Sequence, residues 1–71
     1  NNEPLISLLT NLIYQRPAGI REHGEPLLRA IRDGNGADAV KAVQEFHAFK
    51  AAPRSRRQFY VDAAYAAANR M

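Results

Sequence analysis

The sequence predicts an all-α fold, a compact bundle of three or four short helices built round a helical hairpin at residues 25–52. Three observations lead there. Apolar residues recur at helical spacing in separate stretches of the chain. The run DGNG, residues 33–36, ends one such stretch and starts the next, with a glycine suited to a left-handed helix end and an asparagine suited to cap the following helix. Nowhere does the chain alternate apolar and polar residues as a half-buried strand would. The 71 residues make a single domain, 1–71. A chain of this size buries only about 60% of the surface its unfolded form exposes, so packing alone leaves it marginal.

The first helix is expected over NNEPLISLLTNLIYQR, with Asn2 as N-cap, Glu3 at the positive end of the helix dipole and Pro4 tolerated in the first turn. At 100° per residue, Leu5, Ile6, Leu8, Leu9, Leu12 and Ile13 fall in an arc of about 160°, opposite Ser7, Thr10 and Asn11. RPAG at 16–19 is expected to break it, because proline lacks an amide donor and disfavours helix in the residue before it. Gly24 and Pro26 delay the firm part of the second helix to about Glu25, from which Leu27, Leu28 and Ile31 face inward as far as Asp33.

From Ala37 the third helix places Ala39, Val40, Ala42, Val43, Phe46 and Phe49 on one half, against Asp38, Lys41 and Glu45. Ser55 followed by Gln58 has the spacing of a capping box, which would start a fourth helix. Its body, QFYVDAAYAAANR, is apolar round much of its circumference, so it is either central to the fold or offers one side to another chain. The alanines at 63, 64, 66, 67 and 68 let a neighbouring helix approach at the lower end of the usual spacing, about 8 Å between axes.

Charge is unevenly distributed. Residues 1–49 carry five Lys or Arg against six Asp or Glu; residues 50–71 carry Lys50, Arg54, Arg56, Arg57 and Arg70 against Asp62 alone. An electrostatic function is therefore expected in the last third, at RSRRQFY. Arginines in a first helical turn oppose the dipole there, a conflict that an anionic partner would relieve. With Tyr60 and Tyr65, amphipathic rings suited to half-wet contacts, Arg54, Arg56 and Arg57 form the candidate partner-binding set. Replacing the three arginines with alanine is expected to leave the fold intact and weaken partner capture.

Chemistry is sparse. The chain has no cysteine, no HExxH, no paired-carboxylate spacing and no phosphate-cradling glycine loop, so no enzyme activity, no cofactor and no metal site are expected. Absence of cysteine fits a reducing, cytoplasmic setting. No apolar run reaches the roughly 18 residues of a membrane span, and the start lacks the layout of a signal peptide. His47 falls among valines on the helical wheel and reads as an edge-of-core residue; His23, among glycine and proline, reads as exposed.

NEPLISLL, EHGEPLLRAIRDGN and AVQEFH together resemble the closing helices of the effector-binding domain of FadR-like bacterial transcription regulators. That resemblance implies His23 and His47 as positions matching ligands for a metal or carboxylate effector, while the aspartate and further histidine of that site have no counterpart here. PLLRAIRDGN with AVKAV is similar to the helical hairpin of an ankyrin repeat, present once. Taken together, these features lead to the expectation of a small non-enzymatic regulatory or inhibitory protein that acts on another protein through its last helix. The partner would present an acidic or apolar surface. Two alternatives are a nucleic-acid-associated protein using 54–57, less favoured because the basic residues form no stripe, and a self-assembling helical module or homodimer.

Overall fold

The computed structural model describes residues 2–70, and among them every regular element is helical: α1 Glu3–Gln15, α2 Pro17–Arg32, α3 Gly36–Val43, α4 His47–Lys50 and α5 Arg54–Asn69. The all-α bundle is as the sequence predicts. The α2–α3 hairpin forms as expected, and α5 packs against α3 and α1 and touches α2 and α4 as well.

Local chemistry explains several ends. Asn2 caps α1 by accepting the Leu5 amide at 3.2 Å, and its side-chain amide donates to the Ala67 carbonyl of α5 at 2.9 Å. Asn35 caps α3 in the same way, accepting the Asp38 amide at 3.0 Å. Between α2 and α3, Gly34 has φ +71°, a conformation that costs a side-chain-bearing residue about 1 kcal/mol or more. The Gly34 and Asn35 amides donate back to Ile31 and Ala30, so two carbonyls of the last turn of α2 are satisfied.

The sequence places the start of α2 too late. Arg16 is extended (φ −163°, ψ 94°) and serves as the C-cap of α1 and the N-cap of α2 at once. Pro17 enforces that break and then opens the next helix, its fixed φ already helical. Gly24 and Pro26 sit inside α2 without ending it. Pro26 lies on the exposed side, where water can take the carbonyl its missing amide leaves free.

A second difference concerns α3, which ends at Val43 rather than running on to residue 51. Residues 44–46 turn the chain, and Phe46 (φ −68°, ψ 138°) drops into the core while acting as the N-cap of α4. That turn brings Ala48 and Ala52 to the core as well. Phe46 fits because Gly19 faces it: a Cβ at residue 19 would stand 3.0 Å from the Phe46 ring. The helical wheel of an unbroken helix therefore misplaces everything after Val43. His47 is exposed, and His23 is the half-buried histidine, its ring 5.6 Å from that of Phe46.

The core is one cluster of Leu8, Leu12, Leu27, Ile31, Val43, Phe46 and Tyr60 with the alanines of α3, α4 and α5 around them. From α1 only one side of the predicted stripe, Leu8 and Leu12, is buried; Ile6 and Ile13 on its other side stay exposed. A bundle of short helices closes round about two residues per two turns of α1, not round the whole 160° arc.

Candidate functional site

The expected capping box at Ser55 and Gln58 does not form. α5 starts two residues sooner, with Pro53 (φ −67°, ψ 164°) as N-cap and Arg54, Ser55 and Arg56 as its first turn. Ser55 is thus already helical, and Gln58 donates its side-chain amide to Asp62 at 2.9 Å instead. The first-turn amides of α5 have no side-chain cap.

The three arginines separate into two roles. Arg57 points back: its Nε donates to the Ala52 carbonyl at 2.9 Å and an Nη to the Lys50 carbonyl at 3.1 Å, while the guanidinium lies 5.9 Å from the centre of the Phe49 ring. A cation on the carbonyl end of α4 suits the negative pole of that helix. The side chain that opposes one dipole serves as the C-terminal clamp of the helix before. Arg54 and Arg56 make no ion pair or side-chain hydrogen bond among the described residues. Arg57→Ala is therefore expected to lose about 1 kcal/mol of stability, whereas Arg54→Ala and Arg56→Ala stay within about 0.5 kcal/mol or gain slightly. Thermal melts of the three single variants, followed by circular dichroism, measure this. These hydrogen bonds set Arg57 apart from Arg54 and Arg56.

The tyrosines separate too. Tyr60 is 0% exposed; it packs by Phe49 and Phe59 and its hydroxyl donates to Asn11 Oδ1 of α1 at 2.5 Å. As a contact residue for a partner it is misassigned, because α5 turns the Tyr60–Ala64–Ala67 face to the core. Burial raises the Tyr60 pKa above its ordinary 10.0, partly offset by the neighbouring Arg56 guanidinium. Tyr65 does face outward, at 53% exposure, with one ring face laid on the start of α3. There Gly36 leaves room for the ring: a Cβ would come within 2.6 Å of it, so Tyr65 would have to shift.

Sequence reasoning missed α1. Asn2 meets Ala67 and Asn11 meets Tyr60, so α1 and α5 run antiparallel. Along their seam Ser7, Ala63 and Ala66 form a shallow floor, with Glu3, Asp62 and Arg70 at its rim. A second hollow over the outer side of α1 shares Ser7 and is bordered by Ile6, Thr10 and Tyr14. Ile6 (55% exposed), Tyr14 (83%) and Phe59 (37%) stand along this surface. The signal available was the width of the α1 stripe, greater than so small a core needs.

No group of three or more His, Cys, Asp or Glu among the described residues is placed to hold a metal ion, and none of the described helices is long and apolar enough to cross a membrane. The side-chain polar atoms that are buried all have partners among the described residues, so no polar group is aimed into an empty cavity. Comparison of the chain with protein-family models, with curated proteins and with solved structures finds no match in any of the three.

Proposed function

We propose that this chain is a non-enzymatic protein-binding module, regulatory or inhibitory in its effect, that works through α5, its basic start and the adjoining outer face of α1. The carrying observation is that the core leaves large apolar side chains in water: Ile6, Ile13 and Tyr14 on α1, Phe59 and Tyr65 on α5, and Leu28 on α2. In a chain of this size such side chains cost solubility without adding to the interior, and aromatic and arginine side chains supply most binding energy at protein interfaces. The partner-binding set is accordingly Arg54, Arg56 and Tyr65 from the original expectation, joined by Phe59, Ile6 and Tyr14. Tyr60 supports that surface from beneath, and Arg57 is held against the end of α4.

The nucleic-acid alternative draws on the same turn but loses Arg57, which is engaged with α4. Two free arginines make a weak phosphate track, and such binding would fall steeply with added salt. A photoreactive residue in place of Phe59, introduced in the native cells, is expected to give a discrete protein adduct, with none from the same residue at exposed Glu22 of α2. Equal adducts from both positions, or none from either, count against a protein-binding face.

A further inference from the structure

We infer that the outer face of α1 is covered by the same face of a second copy of this chain, the two helices lying antiparallel across a two-fold axis at Leu9 and Thr10. This rests on the protein-binding reading and assigns the α1 part of that surface to self-association. At 100° per residue, Ile6 and Ile13 lie within about 20° of each other and roughly 130° from the buried pair Leu8 and Leu12. Helix α5 takes a different side of α1, at Ser7 and Asn11. Half-buried Leu9 and exposed Thr10 fill the turn between the two isoleucines. From Pro4 to Gln15 there is no charged side chain, whereas α2 exposes Arg21, Glu22, Glu25, Arg29 and Arg32 to water. The free face of α1 is thus uncharged along its length.

The order of residues decides what covers it. About the midpoint of Leu9 and Thr10 the helix is self-complementary: Ile6 stands as far to one side as Ile13 to the other, and Glu3 as far as Arg16. A two-fold axis there sets Ile6 of each copy against Ile13 of the other and brings Glu3 level with Arg16 at both ends. Both charged residues are exposed, and neither is in an ion pair among the described residues, although Arg70 borders the same hollow as Glu3. Parallel pairing would instead set Glu3 against Glu3 and Arg16 against Arg16. Two-fold contact brings one patch against itself, so a second copy meets this symmetry by construction. The contact is a single helix pair about 20 Å long over the thirteen residues of α1, which makes a weak, concentration-dependent dimer.

Sedimentation equilibrium over about 5 to 500 μM, at about 50 mM salt, is expected to show monomer and dimer exchanging with concentration. Ile13→Lys, at a position 49% exposed, should leave only monomer while helix content stays as in the wild type. Glu3→Lys and Arg16→Glu should each weaken the dimer about fivefold, since each change spoils the charge match at both ends. Combining the two should restore it, because the exchanged charges meet again. A thiol reads the direction of pairing. The chain has no cysteine, so Thr10→Cys, beside the axis, should oxidise in air to a covalent dimer, and Ile6→Cys, facing Ile13, should not.

A monomer throughout that range overturns the inference, as does a dimer that Ile13→Lys or the single charge reversals leave unchanged. So does a covalent dimer from Ile6→Cys without one from Thr10→Cys, which would make the pairing parallel. If the chain stays monomeric while crosslinking from position 59 still captures a protein, the self-pairing is wrong and the protein-binding face stands.

Discussion

Tyr60→Ala is expected to lose about 3–5 kcal/mol of folding stability at 25 °C. The ring is the largest side chain fully enclosed by the core, and it reaches across to α1 through its hydroxyl. Removing a buried aromatic costs about 3–5 kcal/mol. A 71-residue domain holds roughly 4 to 10 kcal/mol in total, so the loss is a large share of it. Urea titration followed by circular dichroism measures the change. Tyr60→Phe separates the ring from the hydroxyl and should lose only about 1 kcal/mol, since Asn11 is half-buried and water can reach it.

The same pair predicts a pH effect with a definite sign. Burial raises the folded pKa of Tyr60 above the unfolded 10.0, so the folded state favours the protonated phenol. The stability this contributes is complete below the unfolded value and is lost as pH rises through the folded one. The wild-type chain should therefore weaken on the alkaline side of pH 10, and Tyr60→Phe should flatten that part of the profile. An identical alkaline loss in the variant would assign the effect to other groups.

The second large effect is expected at Gly19. Gly19→Val adds a Cβ and two methyl groups beside Phe46, which is 1% exposed and has nowhere to retreat. Overfilling a packed site costs about 1–3 kcal/mol, and a β-branched residue regains little of it through helix propensity. Gly19→Ala is the informative neighbour: its gain in helix propensity, about 1 kcal/mol, opposes the 3.0 Å approach to the ring, and it should come out close to neutral. Combining Gly19→Val with Phe46→Leu should recover part of the loss. Simple additivity of the two single variants would show that the residues do not share the space.

These two sites also show what could be read from the chain and what could not. Asn2, Asn35 and Gly34 act within a few residues of themselves, and their identity alone announces a cap or a left-handed turn. The all-α class follows from the same short-range rules. Gly19 is different. In the sequence it reads as part of a break, and only the arrival of Phe46 from residues away explains it. The end of α3 at Val43 has no proline or glycine to mark it; the turn exists because Phe46, Ala48 and Ala52 all reach the core that way.

The proposed surface was legible in part for the same reason. A helical wheel gives the angle between residues of α5 but not the direction of the core, so Tyr60 and Tyr65 looked alike until α1 and α3 were in place. Arg57 was indistinguishable from Arg54 and Arg56 because its partners are backbone carbonyls, which no residue code records. Of the residues proposed for that surface, Arg54 and Tyr65 are exposed and Arg56 is half-buried.

The hydrogen bond from Asn2 to Ala67 ties residues 65 positions apart, and it sits at the first turn of one helix and the last of another. Helix ends ordinarily fray independently. Here fraying of either one releases the other, so hydrogen exchange in the opening turn of α1 and the closing turn of α5 should rise and fall together, as a single latch at the rim of the fold.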